Sequence, residues 1–539
     1  MKFPIGQRFV GAVSFSLAAL TGVAAHASAP YPVAEKSVAQ LQADLRSGRV
    51  TSVGLVQAYL ARIKAIDWAG PQLRSIIALN PRALSEARRS DDERRRHHLR
   101  GPLEGIPVLM KDNIETDDGT ATTAGSLALK DNITHRDAPV ARRLKEAGAI
   151  ILGKTNLSEW ANIRSSQSVS GWSAVGGLVK NPYVLDRGAC GSSAGTGSAI
   201  AASLAAAGVG TETDGSVTCP SSINGLVGLK PTVGLVSRTH IVPISHSQDT
   251  AGPMGRSVED VAILLTAMAG SDPADPATNQ ADDHHTDYAA ALATADLKGK
   301  RLGVLTYATS LSPDVDAVFA QALETLKARG ADVIEIKDYK PPSDLGAKES
   351  LVLQTELKID LNAYLASTPA AVKTRTLADV IAFNSAHPRE TALFGQDTFE
   401  AAEQTKGLAD PAYLAARTDA RRLAGPEGID KLIADNRLDA LIAPSYGPAS
   451  RIDLATGGHV VGRSSTLAAV SGYPHLTVPM GQVDGLPVGL SFIGPAWSEA
   501  RLLQLGYAYE KASHARKPPT YIPSLEATPE TKAAFAPAK

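Results

Sequence analysis

An α/β fold is what this sequence predicts, on two observations: a strand, helix, strand grammar that occurs twice, and enough apolar residues to cover a sheet on both faces. In the first instance an apolar run at residues 105–110 delivers Lys111, helical spacing follows at 141–147, Gly148 stops the helix, and a second apolar strand runs through 149–152. In the second, a strand at 301–306 leads to a helix at 313–329, then Gly330 and a strand at 331–336. Alternation of this kind favours a large sheet covered by helices. Hydrophobic residues make up 44% and charged residues 20% of the 539 positions, an ordinary globular composition with material for a sizeable core. The length suits several average domains or one large α/β domain.

Taken in chain order, Lys2 and Arg8 precede an apolar or small-residue stretch at 9–25, and Ala25-His26-Ala27 fits a small-x-small cleavage site. Residues 1–27 therefore read as a cleaved export signal, which places the mature chain, 28–539, in the periplasm or outside the cell. The alternative, an uncleaved anchor, has against it the Ala-rich, Ser-interrupted composition and short length of the stretch. Elsewhere the chain has no segment apolar enough to cross a bilayer, so no membrane span is expected after signal cleavage. Helical spacing then occupies 38–45 and 52–66, broken at Gly48, with Thr51 or Ser52 available as a cap. A polar helix is expected over 83–99, and its basic residues from Arg94 to His98 read as a solvated face.

Residues 271–287 read as a polar loop. It contains Asp282-Asp283-His284-His285, a candidate metal cluster, but no second ligand set at a recognised spacing accompanies it, so no metal is expected. Residues 341–424 read as mostly helical. The tail at 517–539 is Pro- and Ala-rich and expected to be loosely packed. With 54 Lys plus Arg against 55 Asp plus Glu, nothing global draws the chain to nucleic acid or anionic membrane, and a small neutral or mixed substrate is expected. The two cysteines, Cys190 and Cys219, form either one bridge or two buried thiols, since spacing alone does not decide.

Chemistry concentrates between residues 188 and 228, where nine glycines and many Ser or Thr residues stand with no aromatic and only Glu212 and Asp214 charged. Such a stretch lets backbone approach a ligand closely. Against a flexible linker stands an Ala-rich helix expected at 198–207, closed by Gly208. Against a phosphate loop stand the missing Gly-Lys-Ser/Thr ending and the missing dinucleotide pattern. Gly191-Ser192-Ser193-Ala194-Gly195 formally fits the elbow of an α/β-hydrolase with Ser193 as nucleophile, but residues 181–188 before it read as a loop and not a strand, so Ser193 is given a structural role.

Several blocks of this segment and its surroundings resemble the amidase signature family. They are Gly191-Ser192-Ser193-Ala194-Gly195, Gly210-Thr211-Glu212-Thr213-Asp214-Gly215-Ser216 and Gly225-Leu226-Val227-Gly228-Leu229-Lys230-Pro231-Thr232. Upstream, Gly105-Ile106-Pro107-Val108-Leu109-Met110-Lys111-Asp112-Asn113 and Gly153-Lys154-Thr155-Asn156-Leu157-Ser158-Glu159-Trp160 are similar to further family segments, and Leu438-Asp439-Ala440-Leu441-Ile442-Ala443-Pro444 and Gly485-Leu486-Pro487-Val488-Gly489-Leu490 extend the likeness over about 37–509. The resemblance implies a single α/β domain with a mixed, twisted sheet between layers of helices, and amide hydrolysis without a cofactor.

It also implies roles. Neutral Lys111 takes a proton from Ser192, whose bond from Gly191 is expected to be cis; Ser192 takes one from Ser216; and Ser216 attacks the amide carbonyl. The oxyanion would be held by N–H groups at Thr213, Asp214, Gly215 and Ser216. The residue types suit this independently: serine needs a base, and a lysine serves as one only when burial depresses its pKa. Where many members have two glycines before the nucleophile, this chain has Asp214-Gly215, so the Asp214 side chain is a candidate obstruction of the oxyanion hole. Arg187 and Asp249 flank the blocks as candidate supports.

Within the family the likeness is to peptide amidases, through Arg164-Ser165-Ser166-Gln167-Ser168-Val169-Ser170-Gly171-Trp172 and Ile244-Ser245-His246-Ser247-Gln248-Asp249-Thr250. It implies a small-molecule or peptide amide substrate and no obligate protein partner. The export signal argues against a glutamyl-tRNA amidotransferase subunit. Aryl, fatty or small aliphatic amides are the alternative substrates, and a non-catalytic binding protein of the same fold is the alternative class.

Overall fold

The two strand–helix–strand units lie at opposite ends of one sheet. A computed structural model of the chain describes residues 1–2, 4, 31–455, 457 and 461–535. The export-signal reading falls almost wholly outside these described residues. In chain order the strands are β1 (Ile76–Leu79), β2 (Pro107–Lys111), β3 (Ile150–Thr155), β4 (Trp172–Ser173), β5 (Gly177–Leu178), β6 (Ala207–Glu212), β7 (Val227–Lys230), β8 (Thr250–Gly255), β9 (Arg301–Leu305), β10 (Asp332–Ile336), β11 (Ala440–Pro444), β12 (His475–Val483) and β13 (Leu486–Ile493). Eleven of them form a sheet in the order β1-β3-β2-β6-β8-β7-β12-β13-β11-β9-β10, and β4 and β5 pair separately. Pairing is parallel between β2 and β3, β2 and β6, β9 and β10, and β9 and β11, and antiparallel at the other junctions, so the sheet is mixed.

Every residue of β2, β3 and β6 is buried. Helices cover both faces there, which is why these strands read as continuous apolar or small-residue runs without alternation. Edge strand β10 is largely exposed or half-buried. The opening helices are Val38–Arg46 and Ser52–Arg62; Ser37 caps the first with a capping box and Thr51 caps the second. The polar helix runs over Ala83–Arg95, and the 341–424 region is helical as read, led by Leu345–Ala366.

Three local expectations change. The Ala-rich helix spans Ala194–Ala201 and not 198–207: Ser203, at φ 54°, turns the chain, and Ala207 begins β6, where ladder pairing with β2 outweighs alanine's helix preference. The 271–287 segment is not all loop, since Ala281–His284 forms a helical turn; Asp282 accepts from Ser271, and His284 stacks on Trp497 at 4.3 Å. The tail is strapped down at its start, where Tyr521 and Ile522 donate backbone hydrogen bonds to Pro182 and Tyr183, and Leu185 donates to Ile522.

Candidate active site

Lys111 ends β2, the strand buried along its whole length, and its ammonium reaches into the junction of β2 and β6. Its Nζ lies 2.7 Å from Ser192 Oγ, 2.8 Å from Thr211 Oγ1 and 3.2 Å from the Thr211 carbonyl. The side chain is fully buried, and desolvation brings its pKa down to about 7, opposed by Asp249 and Glu212, whose charges favour the ammonium. Two other lysines, Lys154 and Lys230, are equally buried, and burial lowers both, Lys230 to about 8. Lys154 donates to the Ile114 carbonyl and Thr122 Oγ1 beside Asp112, and Lys230 to the Pro231 carbonyl. Among these three, Lys111 alone is set against a serine hydroxyl.

Ser192 follows a cis peptide bond from Gly191. A Cβ on Gly191 would stand 2.1 Å from Ser158 Oγ and 2.7 Å from Ser170 Oγ, so any side chain there would have to displace those two hydroxyls. Ser193 is structural in its contacts: its Oγ donates to the Thr211 carbonyl and accepts from the Thr211 N–H, while its own N–H donates to the Ser216 carbonyl at 3.1 Å. No strand precedes it, so the elbow geometry is absent. That N–H bond ties the Ser192 segment to the Ser216 segment through backbone.

Ser216 faces a cavity of about 770 Å³, also lined by Gly191, Thr213, Asp214, Gly215, Tyr446 and Arg463. Its Oγ has no hydrogen-bond partner among the described residues, so the Ser192–Ser216 hydrogen bond of a relay is not formed here. Catalytic hydrogen bonds commonly tighten only with substrate in place. The N–H groups of Asp214, Gly215 and Ser216 likewise have no acceptor among the described residues. Gly215 holds φ 85°, and a Cβ there would meet the Tyr446 hydroxyl at 2.3 Å.

The Asp214 side chain does not obstruct these donors. It is drawn away by Ser465 Oγ, by Thr466 Oγ1 at 3.0 Å and by Arg463 at 3.2 Å. Asp249 accepts from Thr213 Oγ1 at 2.5 Å and from the N–H groups of Ile244 and Ser245, and burial pushes it up to about 6. It shapes the segment beside Thr213. Arg187 pairs with Asp186 at 3.4 Å and contacts none of Lys111, Ser192 or Ser216. Cys190 and Cys219 are joined as a disulfide, Cα atoms 6.1 Å apart, and both line the cavity.

Sequence reasoning missed Thr211 and Asn113 as neighbours of Lys111, although both sit inside quoted blocks; Asn113 Nδ2 donates to Thr211 Oγ1 at 3.0 Å. It also missed Glu349, Tyr446 and Arg463, which the fold brings to the cavity from distant segments. A second cavity of about 350 Å³ shares Ala161, Thr213 and Ile244 with the first. For a cation, the described residues offer one group of suitable spacing, His246 with Glu356 and Asp360. There His246 Nδ1 meets Asp360 at 2.9 Å, and Glu356 accepts from Ser245, Ser247 and Tyr413, so its oxygens are already engaged.

A mixed sheet carrying a buried lysine on a serine, with a second serine and open backbone donors beside it, is an arrangement suited to a hydrolase. The chain belongs to the amidase signature family: the family model described as Amidase matches residues 54–503. It is an amidase, a hydrolase of amide bonds. The solved structure of the native peptide amidase from Stenotrophomonas maltophilia is similar at a TM-score of 0.85 and 51% identity, covering 91% of this chain and 100% of that one. A structure of a peptide amidase in complex with the competitive inhibitor chymostatin is similar at a TM-score of 0.87 and 52% identity, with coverage of 91% and 100%. A probable amidase of Arabidopsis thaliana is 40% identical over 508 residues, 92% of this chain and 93% of that protein. A glutamyl-tRNA(Gln) amidotransferase subunit of Halorhodospira halophila is 34% identical over 498 residues, 90% of this chain and 98% of that protein.

Proposed function

We propose that this amidase removes the C-terminal amide of peptides, releasing ammonia and a peptide carboxylate. The observation that carries the mechanism is the buried Lys111 Nζ at 2.7 Å from Ser192 Oγ, with a pKa near 7. A lysine of that kind is substantially neutral at physiological pH and can accept a proton. Ser192 gives its proton to Lys111 and takes one from Ser216, whose Oγ bonds the carbonyl carbon. The N–H groups of Asp214, Gly215 and Ser216, with Thr213 alongside, take the oxyanion. Collapse expels ammonia, to which Ser192 gives its proton while Lys111 returns its own to Ser192, and leaves an acyl-enzyme. Water attacks the ester by the same relay, giving the acid and freeing Ser216.

The peptide substrate is supported by about half-identity over nearly full length to a peptide amidase that takes chymostatin as competitive inhibitor. The cavity, at about 770 Å³, has the size for a short peptide end. We read the chain as exported, on the charged and apolar residues at its N-terminus, and as working without a partner subunit.

Ammonia release from a peptide amide, a fatty amide, an aryl amide and free glutamine, by wild type and Ser216→Ala, tests this reading. Release from the peptide amide alone, lost in the variant, is the expected result. Serine-dependent release from another panel member with none from the peptide amide would overturn the substrate, and turnover by Ser216→Ala would overturn the mechanism.

A further inference from the structure

The cavity in front of Ser216 holds a polar group that the relay does not use. Glu349 stands near the start of the Leu345–Ala366 helix, is 8% exposed, and lines the cavity with Gly215, Ser216 and Arg463. Its Oε1 accepts from Gln248 Nε2 at 2.9 Å, and that same Nε2 lies 3.3 Å from the Thr213 carbonyl, one residue before the N–H groups assigned to the oxyanion. Its Oε2 has no partner among the described residues. A nearly buried carboxyl with one oxygen fixed and the other open to a substrate cavity is a hydrogen-bonding position awaiting a ligand.

The charge state follows from its surroundings. Asp214 lines the same cavity and accepts from Arg463, Ser465 and Thr466. Two carboxyl groups lining one desolvated pocket with a single guanidinium disfavour each other's ionisation. Burial and the charge on Asp214 push Glu349 up to about 8, against the pull of Gln248 and Arg463. Tyr446, the remaining titratable side chain of the cavity wall, is held in its neutral form by burial. With Oε1 accepting from Gln248, the proton sits on Oε2.

We propose that Glu349 is a substrate-binding residue: its Oε2–H donates to a backbone carbonyl on the acyl side of the scissile amide. This rests on the peptide-amide reading and narrows it to amides of N-acylated amino acids and peptides. Simple monoamides such as benzamide carry no second carbonyl for Glu349 to hold.

The test reads binding apart from turnover. N-acetylphenylalanine amide and benzamide are titrated calorimetrically into Ser216→Ala carrying Glu349, Glu349→Gln or Glu349→Leu. The expected result is that Glu349→Leu weakens the acetylated amide about tenfold and leaves benzamide unchanged, while Glu349→Gln, whose amide N–H can donate, stays within about threefold of the parent. In enzyme with Ser216 intact, KM for the acetylated amide rises above about pH 8, as Glu349 loses its proton, and Glu349→Gln removes that rise. Unchanged affinity of Glu349→Leu for the acetylated amide, or equal loss for both ligands, overturns the proposal. Glu349-dependent binding in a protein that releases no ammonia from the peptide amide would instead sink the peptide amidase reading and leave Glu349 as a binding residue. The near-isosteric Gln variant, with an unchanged melting temperature, separates these outcomes from misfolding.

Discussion

The two walls of the cavity are built by different means. The wall that carries Lys111, Ser192 and Ser216 is mostly backbone: β2 and β6 lie side by side, Gly191 and Gly215 allow close approaches, and the Ser193 N–H joins the two serine segments. The facing wall is a long helix, Leu345–Ala366, held by side chains. Its Glu356 gathers Ser245, Ser247 and Tyr413, and its Asp360 takes His246. Backbone geometry admits few substitutions, whereas a side-chain network can be exchanged piece by piece. The division suits one wall to constant chemistry and the other to variable substrate recognition.

The largest effects are expected on the backbone-built wall. Ser216→Ala should lower kcat about 10,000-fold and Lys111→Ala about 1,000-fold, each with a melting temperature near that of wild type, measured by ammonia release and thermal unfolding. A loss below about tenfold for Lys111→Ala would remove the distinction between the walls. Acid should act through the same lysine. Lys111 must be neutral to accept a proton, so kcat/KM should fall about tenfold per pH unit once pH drops below about 7, and a return to between about pH 7 and 8 should restore it. An unbent profile down to about pH 5 would break that assignment.

The facing wall should answer in stability first. Glu356→Ala strands the donors of Ser245, Ser247 and Tyr413 in the interior, and is expected to cost about 3 kcal/mol in denaturant unfolding while leaving the acidic limb of the pH profile in place. The smallest effect is expected for Arg187→Ala, whose partner is the half-buried Asp186: kcat/KM should stay within about twofold, and a tenfold loss would show that the backbone-built wall extends further than drawn.

What could be read beforehand follows the same division. Lys111 was legible through the resemblance of residues 105–113 and the other blocks to the family, since a lysine ending an apolar strand otherwise reads as a solvated end, and the alternation around β2, β3, β9 and β10 was legible because helices and strands there keep their own periods. The Ala-rich run after Ser198 misled because alanine is silent about context; β6 takes its last part for reasons of pairing with β2 and β8. Asp214 was legible as a possible obstruction and its outcome was not, since Arg463, Ser465 and Thr466 lie far along the chain, at separations of 249 to 252. Glu349 could not be singled out, because its helix buries Thr355 and Glu356 as well as Leu345, Val352 and Leu357, leaving no clean apolar face to make a carboxyl conspicuous.

The disulfide between Cys190 and Cys219 makes part of the cavity wall a bond that can be opened without touching the polypeptide. Cys190 directly precedes Gly191 and Ser192, and Cys219, whose N–H donates to the Gly215 carbonyl, lies three residues beyond Ser216. A dithiol reductant would exchange that bond for two thiols in the wall of the reaction chamber, where a small mercurial entering the cavity would meet them. Chain made in a reducing cytoplasm carries that handle from synthesis onward, whereas chain matured under oxidising conditions has it locked.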